Sequence, residues 1–535
     1  MRTKNSIRNI IVSCLSYGII FIGSFVSRKV FASILGLEIV GIDGAFTNVV
    51  SALAIVEMGL GVGIVYKLYS PIAQEDWNQV SCILCFLRRC YLIISCVVLS
   101  LGLLTAYFVV QPIKEDFSKI WLIRIFILYV LDVIASYLFA HKRSMFIADQ
   151  KNYVNNLIHI IVQVFMFTFQ IAVLKFFASF ELFLICKIVC RVVENLLISY
   201  RFDRNYKFLD LKSKASLPDI EKKDLFKNIK AMLFHKISAF GTSGVSSLII
   251  VYGASLKENG VYNNYMLIVM AVTTITNEVF NGILASFGNL LSTSESREKV
   301  YRSFNVLYFV NFLIYSFIIS CFVCLITPFI ELWTGKGSAF DLWTTLAITG
   351  YLYNYGMRQS IGMAKIGAGI YDPDKYLSIV GALITLVSSF LLVGSLGVAG
   401  VMLGNIIGLL SIPQWIQPYL VYRTVFHKEV KSYHVKFGYY TLLTAVYTYL
   451  SYSLCNNWGV LQGLKWQLGQ FLEHFRIPLE SSMLISEICV NLLVCLVIPN
   501  LINIVVFYRT KEFKELLSVA KSLLLKHKKS SAGRE

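Results

Sequence analysis

Long apolar stretches alternate with short polar ones along almost the whole chain. Fourteen such runs fall at about 10–35, 44–70, 83–110, 119–140, 154–175, 181–200, 231–254, 263–291, 304–327, 341–365, 377–394, 398–422, 436–455 and 483–507. About 20 apolar residues in a helix match the thickness of a bilayer's hydrocarbon core. The pattern therefore predicts an all-α integral membrane protein with about 14 transmembrane helices. The runs within 154–200 and 377–422 are two spans each, joined by very short turns. The first run follows Arg2, Lys4 and Arg8 and resembles a signal sequence. It is long, carries Arg28 and Lys29, and has no small-residue cleavage site, so it reads as an uncleaved first helix.

The polar segments set orientation. Alternate loops at 1–9, 71–82, 141–153, 201–230, 292–303, 366–376, 423–436 and 508–535 hold 31 Lys and Arg. The intervening loops at 36–43, 111–118, 176–182, 255–262, 328–340, 395–397 and 456–482 hold 5. Basic residues stay on the cytoplasmic side, so both termini are expected there. The longest interior loop, 201–230, is polar and reads as a linker. It separates an N-terminal six-helix lobe, 1–200, from a second six-helix lobe, 231–422. Two further helices occupy 423–507, and 508–535 is a basic tail. A recurring pattern supports two lobes of related build: Leu37 to Gly41-Ile42, Leu256 to Gly260-Val261 and Leu396 to Gly400-Val401. Each glycine is expected to close a short outer turn between antiparallel helices.

Composition narrows the class. Of 535 residues, 56% are hydrophobic and 15% charged, against roughly 25% charged in soluble domains. A disordered chain and a soluble enzyme are both excluded on that ground. The formal charge of +18 resides mostly in short loops, which removes the nucleic-acid reading. Cys82-x-x-Cys85 and Cys321-x-x-Cys324 have metal-like spacing, but no second Cys or His pair accompanies either in the sequence. These cysteines read as small hydrophobes, and no metal or cofactor is expected. Asp372-Pro-Asp374 sits in a short turn with no nucleotide-binding pattern near it. No P-loop, Gly-x-Ser-x-Gly or His-Glu-x-x-His occurs. The chain is expected not to be an enzyme.

Charges inside the spans carry the candidate chemistry. A charge at the bilayer centre costs at least about 2.5–3.5 kcal/mol and persists where it faces protein or a wet cavity. Arg28, Arg124, Lys187, Arg191, Lys236 and Arg358 lie within spans; the acidic counterparts are Glu57, Asp132, Glu194, Glu278 and Glu487. The interior is therefore expected to be net basic, suited to an anionic solute. Lys187, Arg191 and Glu194 share one helical face, and pairing of Arg191 with Glu194 is the structural alternative. Glu57 precedes Gly59, Gly61 and Gly63, a stretch that reads as a hinge or a close-packing site. Glu57 is the candidate coupling group, and His159 and His235 are candidate proton relays.

The segments Ser27–Asn48 and Ala54–Tyr69 resemble the polysaccharide transporter family, the Wzx-like O-antigen and capsule repeat-unit flippases. So do His235-Lys236, Asn259–Tyr265, Gly288–Leu290, Pro328–Trp333, Gly356-Met-Arg358-Gln359, Gly397–Gly404 and Trp415-Ile-Gln-Pro-Tyr419. The resemblance covers about residues 5–430. One departure is that relatives often carry Asp near Ser246, where this chain has Ser243-Gly-Val-Ser-Ser247. The resemblance implies a bacterial inner-membrane exporter of the superfamily that includes multidrug extruders and peptidoglycan-precursor flippases. It implies two lobes in a V that open alternately to each side. Its substrate would be an undecaprenyl-pyrophosphate-linked oligosaccharide, with a polysaccharide polymerase as a partner in the same membrane. Arg28, Lys236, Arg358, Arg124 and Arg191 would hold the pyrophosphate or acidic sugars. The competing classes are a cation-coupled multidrug antiporter, which needs an acidic cavity, and a peptidoglycan-precursor flippase. A membrane-embedded glycosyltransferase or polymerase would need a large outer loop or a clear acid pair.

Overall fold

The computed structural model describes residues 2–54, 65, 67–211, 244–292, 296–368, 370, 375–475 and 477–518. These residues form 17 α-helices and, among the described residues, no strand. In chain order they are α1 (Arg2–Leu35), α2 (Leu37–Leu53), α3 (Trp77–Val110), α4 (Lys119–Tyr137), α5 (Ala140–Ala148), α6 (Asn152–Phe177), α7 (Phe180–Asn205), α8 (Ser246–Gly253) and α9 (Leu256–Ser292). There follow α10 (Arg297–Thr334), α11 (Leu342–Met357), α12 (Gln359–Gly367), α13 (Lys375–Ser411), α14 (Pro413–Val421), α15 (Lys431–Asn457), α16 (Gly459–Glu473) and α17 (Leu479–Phe507). Thirteen of the fourteen apolar runs coincide with helix over nearly all of their described residues; the run 231–254 is described only from residue 244 and is helical over Ser246–Gly253.

Eight helical stretches among the described residues are long and apolar enough to cross a bilayer, from Leu15–Leu35 to Leu479–Phe507. The chain is a multi-pass membrane protein. Two of the runs outside those eight have visible reasons. The α7 span carries Lys187, Arg191 and Glu194, and the run at 341–365 is interrupted at Arg358. Helix starts follow ordinary capping chemistry. The Asp76 carboxylate accepts from Gln79 N–H at 2.9 Å, Ser179 from Leu182 N–H at 3.3 Å, and Asp341 from Trp343 N–H at 3.1 Å.

The chain divides into two compact units. Unit 1 holds Met1–Asn263 with Val393–Val398, and unit 2 holds Asn264–Leu392 with Ala399–Glu535. Within unit 1, α1 lies along α6, α6 along α7, and α3 along α4, around a core that includes Phe46, Phe126, Tyr129 and Phe202. Within unit 2, α10 is the central helix, packed by α11, α15 and α17. Its aromatic residues stack on theirs, with Phe312 and Tyr440 centroids 4.2 Å apart. Pro328 lies inside α10, where the helix continues through it to Thr334.

Contacts inside each unit join loops of the same charge class. In unit 2 the basic loops meet through Lys428–Glu298 at 3.0 Å and Lys436–Glu512 at 2.8 Å. The sparsely charged loops meet through Lys336–Glu480 at 2.9 Å. In unit 1, Tyr206 donates to Asp149 at 2.6 Å, while Leu256 N–H donates to Glu115 at 2.7 Å.

The repeated glycines do not close turns, contrary to the sequence reading. The left-handed positions are Gly36, φ 87°, and Gly397, φ 54°, which are five and three residues earlier than Gly41 and Gly400. Gly41 and Gly260 lie one turn inside α2 and α9. A Cβ on Gly41 would come 2.0 Å from the Leu256 carbonyl oxygen, and one on Gly260 would come 2.0 Å from that of Leu37. The two copies of the pattern thus pack on each other reciprocally, glycine to leucine carbonyl. Asn259 seals the seam by donating to the Gly41 carbonyl at 2.7 Å and accepting from Ser247 at the same distance.

Candidate functional site

A connected ladder of charged side chains crosses the interior of unit 1. It starts on α1, where Arg28 Nη1 pairs with Asp43 Oδ2 of α2 at 2.9 Å. The Tyr129 hydroxyl on α4 donates to the other Asp43 oxygen. Lys187 of α7 stands 5.5 Å over the Tyr129 ring, a cation–π distance. Lys187 also reaches Asp132 Oδ2 at 3.1 Å, and Arg191 Nε donates to Asp132 Oδ1 at 2.8 Å. One buried α4 carboxylate therefore holds two α7 cations.

The ladder continues along the same α7 face. Glu194 is only 2% exposed, and an isolated carboxylate there would be prohibitive. Its two oxygens are both engaged: Arg143 Nη2 of α5 donates at 2.9 Å, and His159 Nδ1 of α6 lies at 3.1 Å. Arg143 also donates to Asn195 Oδ1 at 3.2 Å, and Asn195 donates to the Ala135 carbonyl at 2.7 Å. The i, i+4, i+7 spacing places Lys187, Arg191 and Glu194 side by side as the sequence implied. The expected Arg191–Glu194 pair is replaced by Arg191–Asp132 and Arg143–Glu194, because interhelical partners lie closer than neighbours on the same helix.

The ladder has four basic and three acidic side chains, counting His159 as neutral: Arg28, Arg143, Lys187 and Arg191 against Asp43, Asp132 and Glu194. One positive charge is in excess. That equals the six-to-five excess among span residues of the sequence, because the two charges that the loop bounds exclude, Asp43 and Arg143, are of opposite sign. Arg143 was also missed, as a loop charge. The helix breaks between α4 and α5 at Phe139, φ 60°, with no glycine or proline to mark the break. The helix that follows turns Lys142 inward, to Ser199 at 2.8 Å and Asp203 at 2.6 Å.

The remaining site candidates fall elsewhere. Arg124 of α4 is 63% exposed and pairs with Glu181 at 3.5 Å, outside the ladder. Arg358 lies in unit 2, between α11 and α12, and donates to Gln417 Oε1 at 2.8 Å. Lys236, Glu57, Gly59, Gly61, Gly63 and His235 lie outside the described residues, as do Asp372, Asp374 and most of the 201–230 linker. Ser246 opens α8 and is buried. The structure supplies neighbours that the Cys321-x-x-Cys324 motif lacked in sequence. Cys455 of α15 and Cys495 of α17 pack against Cys324, in a seam with Ser320 and Asn491. Among the described residues no group of three or more Cys, His, Asp or Glu is arranged to hold a metal ion.

Solved structures share this architecture. The lipid II flippase MurJ in an inward closed conformation aligns over 92% of this chain and 98% of its own, with TM-score 0.60 and 11% identity. An inward-facing multidrug resistance MATE family transporter of the MOP superfamily aligns over 76% and 94%, with TM-score 0.56 and 14% identity. The chain shares the fold of these transporters. A third such structure, from Pyrococcus furiosus, is described as having a binding pocket of reverse polarity that suggests a different function. It aligns over 80% and 97%, with TM-score 0.50 and 13% identity. No family model matches the sequence, and no curated protein matches it. At identities of 11–14% these structural likenesses establish the fold alone, and the Wzx-like resemblance rests on the sequence motifs.

Proposed function

We infer that this protein is a flippase that moves undecaprenyl-pyrophosphate-linked oligosaccharide repeat units across the bacterial inner membrane, for O-antigen or capsule synthesis. The observation that carries the reading is the ladder: charged groups on five helices, α2 among them, half-buried or buried in an apolar unit, with an excess of positive charge. A sugar headgroup cannot cross hydrocarbon because its hydroxyls would lose their hydrogen bonds. A polar, water-accessible interior replaces those partners while the polyprenyl tail stays in lipid. Arg191 and Arg143 offer planar paired donors suited to phosphate oxygens, and Lys187 offers a point charge. Pyrophosphate binding would draw these cations from Asp132 and Glu194, so the carboxylates act as placeholders for the ligand.

Transport would proceed by alternating access. In that scheme residues 1–200 and 231–422 rock against each other, both termini stay cytoplasmic, and 456–482 lie outside. Glu57 is the proposed coupling group, and Gly59 and Gly61 the hinge beside it. Arg28, Lys236 and Arg358 would complete the anion-binding set. A peptidoglycan-precursor flippase is the second reading, favoured by the likeness to MurJ over nearly the whole of both chains. A multidrug antiporter fits less well, since a cationic drug would meet an excess of like charge. Purified protein in proteoliposomes, given fluorescent pyrophosphate-linked oligosaccharide, lipid II or a cationic dye, tests all three. Translocation of the oligosaccharide lipid alone is expected. Movement of lipid II only, or of the dye only, would replace the proposal with the corresponding alternative.

A further inference from the structure

The last span is followed at once by a docked segment. Phe507 closes α17, and residues 511–518 are helical again. Thr510 stands in the turn between them. Its hydroxyl donates to the Phe507 carbonyl at 2.8 Å and accepts from Phe513 N–H at 3.4 Å. One side chain therefore ties the end of α17 to the capped start of the next helix.

That helix sorts its charges. Glu512 and Glu515 are half-buried and turn toward the body of unit 2. Glu512 accepts from Lys436 of α15 at 2.8 Å, and Lys436 also donates to Asn305 of α10 at 2.9 Å. Glu515 pairs with Arg302 of α10. Phe513, between the two acids, meets Phe309 edge-on with ring centroids 6.4 Å apart. Lys511, Lys514 and Leu517 turn outward and are exposed. In the preceding turn Arg509 lies 5.1 Å over the ring of Tyr508, and both are exposed. Lys511 and Glu515 have the spacing of an ordinary helical ion pair, yet Glu515 is engaged by Arg302. Each acid is neutralised by a cation of unit 2, and none of Arg509, Lys511 and Lys514 makes an ion pair among the described residues.

Position says what these cations meet. Ile504 and Val505, on the last turn of α17, are exposed apolar side chains, 51% and 69%, as befits a lipid-facing turn. Tyr508 follows at the depth where aromatic rings favour headgroups. The basic loops 292–303 and 423–436 gather at the same end of unit 2, where Lys428 meets Glu298 at 3.0 Å. Such basic ends face the leaflet rich in anionic lipid. One aromatic ring, three cations and one leucine, just outside a span, match a layer in which phosphates overlie acyl chains.

We propose that residues 508–518 form a docking surface for anionic phospholipid. Arg509, Lys511 and Lys514 hold the headgroup phosphates, and Tyr508 and Leu517 seat among the headgroups and upper acyl chains. Glu512 and Glu515 are positioning residues: their pairing with Lys436 and Arg302 fixes which face of the helix is basic. The surface would serve the protein whatever solute it moves, so it stands apart from the flippase reading.

The test uses full-length protein in phosphatidylcholine vesicles that carry a headgroup-photoactivatable phosphatidylglycerol or, in a second sample, the matching phosphatidylcholine analogue. Adducts on the 508–518 segment are mapped by mass spectrometry. Phosphatidylglycerol should label the segment at least about tenfold more than phosphatidylcholine, since three cations face it, and the preference should shrink as salt is raised. The triple variant Arg509→Gln, Lys511→Gln, Lys514→Gln should lose the preference, and Lys511→Arg with Lys514→Arg should keep it. Arg302→Gln leaves all three cations in place and should still lower the preference several-fold, by freeing Glu515 to meet Lys511. Equal labelling by the two lipids, or a preference unchanged in the triple variant, overturns the site. A soluble polyglutamate peptide is tested on the same vesicles. If that peptide binds, is lost in the triple variant, and phosphatidylglycerol shows no preference, the face docks an acidic protein and the lipid assignment falls.

Discussion

Alanine at Gly41 or Gly260 puts opposing effects in competition at one seam. Helix propensity favours alanine over glycine by about 1 kcal/mol. Against that, each added Cβ would lie 2.0 Å from a leucine carbonyl oxygen, where ordinary contact begins at 3.4 Å. The opposing atom is backbone, so relief requires the first turns of α2 and α9 to part. Overpacking of this kind costs about 1–3 kcal/mol. Parting also stretches the Asn259 bond to the Gly41 carbonyl, now 2.7 Å, at about 0.5–1.5 kcal/mol. The sum leaves each single alanine destabilising by about 0.5–3.5 kcal/mol. Because the contact is reciprocal, the first alanine opens the seam for the second. The double variant should therefore cost less than the two singles together, by about 0.5 kcal/mol or more. Reversible unfolding in mixed micelles, followed by near-UV circular dichroism, measures all four proteins. Singles that gain stability, or costs that add without coupling, would refute the reciprocal packing.

Three further outcomes follow from the charged groups. Asp132→Asn strands Lys187 and Arg191 and should cost about 3–5 kcal/mol, whereas the triple variant Asp132→Leu, Lys187→Met, Arg191→Met should unfold near the wild-type midpoint; equal loss in both would contradict the pairing. Arg124→Ala, at an exposed position, should change stability by no more than about 0.5 kcal/mol, and a larger loss in the same unfolding assay would place it in the ladder after all. Burial pushes the Glu512 carboxyl up, but the hydrogen bond and charge of Lys436 more than offset this and hold it below the ordinary carboxylate range. A depressed carboxyl stabilises above its unfolded pKa, about 4.3, and loses that contribution as pH falls through the folded value. The stability difference between wild type and Lys436→Gln should therefore be present at neutral pH and vanish in acid; a difference that grows in acid would reverse the assignment.

The helices themselves were legible because a span must be apolar over a fixed length, and that requirement is local. The α7 face was legible for the same reason: Lys187, Arg191 and Glu194 recur at the helical period. Their partners were not, since Asp132, Arg143 and His159 come from three other helices and no local signal pairs them. Asp43 was hidden because the segment 36–43 reads as a loop, whereas the only break there is Gly36 and α2 resumes at once. Arg143 was hidden by the unmarked helix break at Phe139. The glycine pattern was visible but its register was misjudged: a small residue permits a turn and a close approach equally well, and only the packing of Leu37 and Leu256 separates the two. The Arg358–Gln417 contact spans 59 residues, and its two segments were noticed individually.

The central claim is that the half-buried basic excess of unit 1 carries the anionic headgroup. The triple variant at Asp132, Lys187 and Arg191 removes that excess while leaving an apolar, packable interior, so it separates charge from stability. Headgroup translocation of fluorescent undecaprenyl-pyrophosphate oligosaccharide in proteoliposomes, compared between this variant and wild type at equal reconstitution, is the direct measurement. The account predicts a folded protein whose translocation rate falls at least about tenfold, the worth of one charge-assisted contact. A folded triple variant that moves the headgroup at the wild-type rate would contradict it.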